Sequence, residues 1–269
     1  MNRLFFPTDF SDNSRAALPV AVQLAESLKA PIDFIHTYQL PYRSEALTDN
    51  LLQAISERCQ LDMSEWLSEF TADTVPVDGH CAYNGLAQEL HRRATEHPDS
   101  MIVMASQGAS GWSEVLLGSN AVSVLHAAQQ PVLVVPARSS WPSGQPVKWL
   151  YASDLHDERN PKALAWIKSF ISQSGGELAI AHVEEGTQGD GPARDFLDFT
   201  GTHFPGVEHH LIVAQDVETG IYEAARRAKA HGVIVVARRH HWLRDAFKAR
   251  TSSALAYHTE YPVLVLRED

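Results

Sequence analysis

The sequence predicts an α/β protein built from two Rossmann-like domains, each with a doubly wound parallel sheet. Three observations lead to this prediction: short apolar runs alternate with helical patterns, these runs are apolar at nearly every position, and the pattern occurs twice. Strands that are apolar on both sides are typical of a parallel sheet covered by helices on both faces. Strands that alternate with helices connect through right-handed crossovers, which produces the doubly wound arrangement.

The first copy of the pattern contains five predicted strands and four predicted helices. The strands are expected at 3–8, 31–38, 75–81, 100–105 and 131–136, and the helices at 12–29, 48–73, 84–97 and 119–129. In the first helix, alanine, valine and leucine recur at helical spacing between Ala16 and Leu28. Ser11 or Asp12 is expected to cap its first turn. Residues 101–104 read as a buried central strand, because all of them are apolar.

Matching segments occur in the same order in both halves of the chain, which indicates an internal duplication. The matched pairs are Leu4–Asp9 with Leu150–Asp154, Ile32–His36 with Leu178–His182, Arg92–Ala94 with Arg226–Ala228, and the final strands after Pro131 and Pro262. We therefore predict a first domain at 1–137, a linker at 138–146 and a second domain at 147–269. In the second domain the long middle helix is expected to shorten, with a loop at 186–192 replacing its start.

Composition narrows the class of protein. The net charge of −11 argues against a general nucleic-acid binder or a binder of anionic membranes. No apolar run is long enough to span a membrane, and the first residues lack the features of a signal peptide. Cys59 and Cys81 have no metal-binding spacing, and we expect them to be reduced thiols in a cytoplasmic protein, although the sequence is compatible with one disulfide between them.

A loop that contains glycine follows the fourth strand of the first copy. It reads ASQGASGWSEVLLGSN at 105–120, and Gly108, Gly111 and Gly118 allow the backbone to approach a ligand closely. In open parallel sheets, ligands bind beyond the carboxyl ends of the strands, where this loop lies. Ser119 is expected to cap a helix whose free amides attract phosphate. Asp9, at the end of the first strand, either supplies an acceptor to the ligand or caps the first helix.

The segment PTDFSDNS at 7–14 and the spacing A-x2-G-x9-G-S at 105–119 resemble the universal stress protein family, and the likeness extends over both halves. The resemblance implies a tandem universal stress protein fold, of the adenine nucleotide alpha hydrolase-like type. The nucleotide-binding motif of that family is G-x2-G-x9-G-(S/T). Gly108, Gly118 and Ser119 match this motif, and Ala105 stands where its first glycine is expected.

The resemblance implies that the first domain binds ATP or another adenine nucleotide. Carried over by position, Gly108, Gly118 and Ser119 would hold phosphates, and the amides of Asn120 and Ala121 would assist. Pro7, Asp9 and Thr37 would border the adenine and the ribose, and Gly111 lies within the same loop. Because Ala105 replaces a glycine and 105–120 contains no lysine or arginine, we expect weak binding of ATP, with or without Mg²⁺, or a preference for a less charged nucleotide.

The second copy has lost the glycines of the loop. His240, Arg250 and Thr251 stand where the first copy has Gly108, Gly118 and Ser119. Bulky residues at these positions hinder a close backbone approach, so no cofactor is expected in the second domain. The basic loop at 238–250 fits either a solvated surface or a contact with an anion or an acidic partner.

The sequence contains no pattern that indicates catalysis or metal binding. It has no nucleophile elbow, no P-loop lysine and no clear pairing of a nucleophile with a base, so we predict no catalytic residue and at most slow ATP hydrolysis. The 14 histidines include adjacent pairs but no metal-binding set, and no metal site is predicted. His36 and His182, at equivalent strand ends, are interpreted as structural.

Taken with the resemblance, the sequence indicates a cytoplasmic universal stress protein. Its first domain would bind nucleotide as a stress-response switch, and its second domain would be structural or would contact an unknown protein partner. The resemblance also implies that the two halves form an intramolecular pseudo-dimer through the strands at 131–136 and 261–266. The sequence does not decide whether two whole chains form a homodimer. Two alternatives remain: a protein-interaction module that needs no nucleotide, and a binder of an apolar small molecule between the domains.

Overall fold

Ten strands form one continuous sheet in the computed structural model, which describes residues 1–38, 49–69, 75–107, 117–155, 160–186, 190–237 and 260–267. The strands are β1 (Arg3–Pro7), β2 (Ile32–Tyr38), β3 (Val77–Tyr83), β4 (Ser100–Ala105), β5 (Val132–Val135), β6 (Lys148–Ala152), β7 (Glu177–Glu185), β8 (Glu208–Ala214), β9 (Gly232–Ala237) and β10 (Val263–Arg267). The described helices are α1 (Asp12–Leu28), α2 (Asp49–Ser68), α3 (Leu86–Glu96), α4 (Ser119–Ala127), α5 (Pro161–Ser174), α6 (Asp190–His203) and α7 (Val217–Ala228).

The order of the strands is symmetric about the centre of the sheet. It runs β3-β2-β1-β4-β5-β10-β9-β6-β7-β8, and every neighbouring pair is parallel except β5 with β10. At the centre, Leu133 lies opposite Leu264 and Val134 lies opposite Val263. The α/β class and the mostly parallel sheet are confirmed, and the halves meet through the two strands that the resemblance implied. The residue bounds of the two domains stay a prediction.

Both faces of the sheet are buried, which explains why the strands are apolar throughout. Phe6 and Phe34 belong to a core on one face, whereas their neighbours Phe5 and Ile35 belong to a core on the other. All four side chains are fully buried. Alternate residues of a strand point to opposite faces, so a strand covered on both sides has no position for a solvated side chain.

The two halves repeat the same turn after their first strands, which supports the duplication at atomic detail. The Thr8 hydroxyl accepts a hydrogen bond from the amide of Phe10 at 3.0 Å, and the Ser153 hydroxyl accepts one from the amide of Leu155 at 3.2 Å. Phe10 and Leu155 both adopt a left-handed backbone, with φ of 62° and 66°. Bulky residues rarely occupy this region, so its occurrence at both positions indicates a shared structural requirement.

One local expectation needs correction. Residues 190–192, which we expected in a loop, belong to the first turn of α6, while 187–189 lie outside the described residues. The shortening is nevertheless real, because α6 has 14 residues and its counterpart α2 has 20. The sequence offers Ser11 or Asp12 as the cap of α1. Ser11 is the cap, and its hydroxyl accepts a hydrogen bond from the amide of Ser14.

A disulfide joins Cys59 of α2 to Cys81 of β3, contrary to our expectation of two reduced thiols. Their Cα atoms are 6.1 Å apart although 22 residues separate them in sequence. Gly79 explains the close approach of helix and strand, because a Cβ atom there would lie 2.6 Å from Met63 Cγ. The sequence contains no signal for this pairing, since the two cysteines meet only after α2 folds back onto the edge of the sheet.

One buried carboxylate stabilises the region around β2. Asp33 is almost fully buried and contacts three bases: Arg3 Nη1 at 2.5 Å, His80 Nε2 at 3.7 Å and Arg93 Nη1 at 3.9 Å. Burial alone would raise the pKa of Asp33, but His80 and Arg3 outweigh this effect and hold the pKa below its usual value. The charged form of Asp33 is therefore the one that the fold stabilises.

We predict that Asp33→Asn lowers the free energy of unfolding by about 3 kcal/mol at neutral pH, because Arg3 loses its buried counter-charge while Arg93 retains only Glu89. A folded-state pKa below the unfolded-state pKa means that Asp33 adds stability above the unfolded-state pKa and loses it as pH falls through the folded-state pKa. The difference between the two proteins should therefore shrink below about pH 4. Urea denaturation over a range of pH measures both effects.

The control is Asp198→Asn, which alters an exposed carboxylate of α6 and should change the free energy of unfolding by less than about 0.5 kcal/mol. A loss for Asp33→Asn that stays the same from neutral to acid pH would contradict the electrostatic explanation.

Candidate functional site

A cavity of about 260 Å³ lies at the carboxyl ends of β1, β2 and β4. Its walls come from segments far apart in the chain, since the parallel strands end at the same edge of the sheet and α4 begins beside them. Its described lining consists of Pro7, Thr8, Asp9, Ser14, Ile35, His36, Thr37, Leu86, Met104, Ala105, Ser106, Gln107, Gly118, Ser119, Asn120 and Ala121. This is the position where ligands bind in open parallel sheets.

Eight of the ten predicted site residues line this single cavity. They are Pro7, Asp9, Thr37, Ala105, Gly118, Ser119, Asn120 and Ala121. The other two, Gly108 and Gly111, lie outside the described residues. The fold thus brings together every predicted residue that it describes, while the binding role of each stays a prediction.

The start of α1 is tied to the cavity through Asp9. Asp9 Oδ1 accepts hydrogen bonds from the Ser11 hydroxyl at 2.5 Å, the Ser14 hydroxyl at 2.9 Å and the Ser11 amide at 3.2 Å. These bonds hold the turn between β1 and α1 in one conformation. Asp9 is therefore not itself the cap of α1, but it holds the Ser11 cap in place and also lines the cavity.

Gly118, and not Ser119, is the cap of α4, which corrects our expectation. Ser119 is the first helical residue. The Gly118 amide donates to the Ser106 carbonyl at 2.8 Å, which joins the helix start to the end of β4. The Val122 amide makes the first intrahelical bond, to the Gly118 carbonyl at 3.0 Å. Helix geometry thus leaves the preceding amides without an intrahelical acceptor and directed beyond the helix end.

The lining of the cavity carries little positive charge. Among the described lining residues, Asp9 is acidic, His36 is the only basic side chain, and lysine and arginine are absent. Attraction for an anion would therefore come mainly from the amides and the dipole of α4. This source amounts to about half an elementary charge, well below the charge of a triphosphate.

His36 lines the cavity, although the sequence alone predicts a structural role for it. Its Nδ1 donates to the Thr8 carbonyl at 2.8 Å, and its ring stacks on Phe10 with centroids 4.6 Å apart. In the second half, Nδ1 of His182 donates to the Ser153 carbonyl at 2.9 Å. The repetition of this histidine in both halves was the sequence signal that could have identified His36. Its place at the cavity, however, depends on the conformation of the turn after β1. Ser106 and Gln107, which directly follow β4, also line the cavity and were missed.

The remaining alternatives receive less support from the described residues. A cavity of about 420 Å³ does lie between the halves, but Asp99, Lys162 and Arg267 line it, and charged walls do not suit an apolar molecule. The basic loop at 238–250 lies outside the described residues. Within the described part of the chain, no three metal-ligating side chains cluster and no helix is long and apolar enough to cross a membrane.

Comparison with known proteins links the first half to one family. Residues 1–136 match the model of the universal stress protein family. Universal stress protein YxiE of Bacillus subtilis (strain 168) is 29% identical over 146 residues, which cover 50% of this chain and 98% of YxiE. The structure is also similar to a universal stress protein from Archaeoglobus fulgidus DSM 4304, with a TM-score of 0.74, 22% identity, and coverage of 100% of this chain and 99% of the other. At this identity the last comparison establishes the fold alone.

We predict that Asp9→Ala lowers the free energy of unfolding by about 2 kcal/mol, since Ser11 and Ser14 lose a charged acceptor. Asp9→Asn should cost less than half as much, because the amide oxygen can still accept from these groups. Thermal or urea denaturation of both variants provides the measurement. Equal losses in the two variants would show that the negative charge, and not the acceptor geometry, holds this turn.

Proposed function

Because the chain belongs to the universal stress protein family, we propose that its first half binds an adenine nucleotide in the cavity at the ends of β1, β2 and β4. Binding would act as a switch in a response to stress. Such a switch requires the nucleotide to bind two conformations of the protein with unequal affinity.

The observation that carries this proposal is the convergence of three separate segments on one cavity. Residues 7–9 and Thr37 come from the ends of β1 and β2, whereas Ala105 and 118–121 come from the end of β4 and the start of α4. All of these residues except Thr8 are the ones for which the family resemblance implies contact with a nucleotide. Their convergence supports a common ligand better than it supports a set of unrelated turns.

The chemistry of the walls suggests an orientation for the ligand. Phosphate would lie at the start of α4, where the amides of Ser119, Asn120 and Ala121 point beyond the helix end. Pro7, Asp9 and Thr37 would border the base and ribose, and a carboxylate such as Asp9 is a suitable acceptor for a ribose hydroxyl. Gly108, Gly111 and Gly118 would let the loop approach the phosphates.

The low positive charge of the described lining favours a less charged nucleotide. With no described lysine or arginine in the cavity, ATP would bind weakly unless Mg²⁺ offsets part of its charge. We therefore propose that ADP or AMP competes well with free ATP at this site. The second half would bind no nucleotide and would be structural or contact a partner, and the protein would act in the cytoplasm.

We predict that Gly118→Glu abolishes nucleotide binding, because the new side chain adds both bulk and negative charge where phosphate is proposed to lie. The backbone should tolerate the change, since Gly118 has φ of −63° and ψ of 153°, which any residue adopts. Isothermal titration calorimetry with ATP and Mg²⁺ should give one site per chain for the unmodified protein and no heat for the variant.

The matched control is Gly201→Glu, which introduces the same side chain on α6, where a Cβ atom would have no neighbour within 4 Å. This variant should bind nucleotide like the unmodified protein. Absence of heat for the folded, unmodified protein up to millimolar ATP, ADP and AMP would contradict the proposal and favour the nucleotide-independent interaction module.

A further inference from the structure

The sequence contains two cysteines, and they form a disulfide bond beside the proposed nucleotide site. Cys59 lies on α2 and is buried, whereas Cys81 lies on β3 and is partly exposed. β3 is the outermost strand on its side of the described sheet. Of the two cysteines, Cys81 is therefore the one that we expect a small thiol to reach, because the packing of α2 buries Cys59.

The disulfide is the covalent link between α2 and the sheet, and it adds to a small set of buried side chains. Among the described side chains of this helix, the buried ones are Cys59, Met63 and Trp66. By contrast, α1 buries seven of its residues. A helix with so few buried residues depends strongly on a single covalent bond, so the loss of that bond should loosen α2 more than it would loosen α1.

A chain of aromatic contacts connects α2 to the cavity. Trp66, seven residues after Cys59, packs edge-on against Phe10 with centroids 5.7 Å apart. Phe10 in turn stacks on His36. His36 lines the cavity and holds the Thr8 carbonyl, and it is also the register partner of Cys81 on the neighbouring strand.

The left-handed backbone of Phe10 makes this connection sensitive to the position of α2. A bulky residue with φ of 62° is in an unfavourable conformation, which persists only where surrounding contacts hold it. Trp66 supplies one of these contacts from α2. Movement of α2 would therefore weaken the support of the turn at 8–10, of which Thr8 and Asp9 line the cavity.

We propose that Cys59 and Cys81 are a reversible thiol–disulfide pair that sets the nucleotide affinity of the cavity, with the oxidised form binding more tightly. This inference rests on the proposed function for the identity of the ligand. The oxidised protein holds α2, Trp66 and the turn at 8–10 in the binding conformation, and the reduced protein must order them when the nucleotide binds.

The redox step is ordinary thiol–disulfide exchange. A small-molecule thiolate attacks Cys81 Sγ, forms a mixed disulfide and releases Cys59 as a thiolate, which takes up a proton. A second small-molecule thiolate then attacks the small-molecule sulfur of the mixed disulfide. This step forms a small-molecule disulfide and releases Cys81 as a thiolate, which takes up a proton. In the reverse direction, a small-molecule disulfide is the oxidant, and it is reduced to two thiols as the protein disulfide forms.

The test compares the oxidised protein, the protein reduced with dithiothreitol, and the Cys59→Ser/Cys81→Ser variant. Thiol titration first verifies the redox state. Calorimetry with ATP and Mg²⁺ should then show a Kd at least about 5-fold higher for the reduced protein than for the oxidised protein. The double variant should match the reduced protein and should not respond to dithiothreitol. A disulfide that dithiothreitol cannot open in the folded protein, or equal Kd values in both redox states, would overturn the inference.

Hydrogen exchange of the same samples separates this inference from the proposed function. Reduction should speed exchange in residues 3–10 and 49–69 but not in 148–155, where the second half repeats the turn without cysteines. If neither redox state binds nucleotide, the proposed function fails, and faster exchange at 3–10 still supports the coupling of the disulfide to the cavity. Unchanged exchange at 3–10 overturns that coupling, whatever the affinity for nucleotide.

Discussion

The antiparallel pairing of β5 with β10 is the interaction on which the architecture of the molecule depends. It joins two five-stranded parallel arrays into one sheet, and it buries the edges at which each array would otherwise expose unpaired backbone groups. Leu133 and Leu264 are fully buried where the arrays meet, and each contributes about 2 kcal/mol through removal from water. Arg267 adds hydrogen bonds across this junction, to the carbonyls of His126 and Ala128.

The site depends on the ends of strands and not on their interiors. Most interior positions of β1, β2 and β4 are occupied by the apolar core, so polar groups that can face a ligand lie where these strands stop. At that edge, the polar side chains of Thr8 and Asp9 and the start of α4 surround one cavity. The second half retains the turn, the histidine bond and the left-handed residue, which shows that these features serve the fold.

Much of the fold and part of the candidate site could be predicted from the sequence, because they depend on local patterns of residues. Strands buried on both faces must be apolar, so their positions were predicted to within a few residues. Gly118 and its neighbours were predicted because a glycine loop between a strand and a helix, with the spacing of the family motif, is recognisable from the local sequence. His36, Ser106 and Gln107 were missed, because their place at the cavity depends on which strand ends lie side by side.

The sequence by itself determined the alternation of elements, the duplication and the segments that meet at the strand ends, since these follow from local hydrophobic patterns and repeated motifs. Only the tertiary structure decided the bond between Cys59 and Cys81, the burial of Asp33 among three bases, and the capping of α4 by Gly118. Each of these requires groups far apart in the chain, or a particular backbone angle at a junction. Such relations arise when helices pack on the sheet, and no local pattern of residues encodes them.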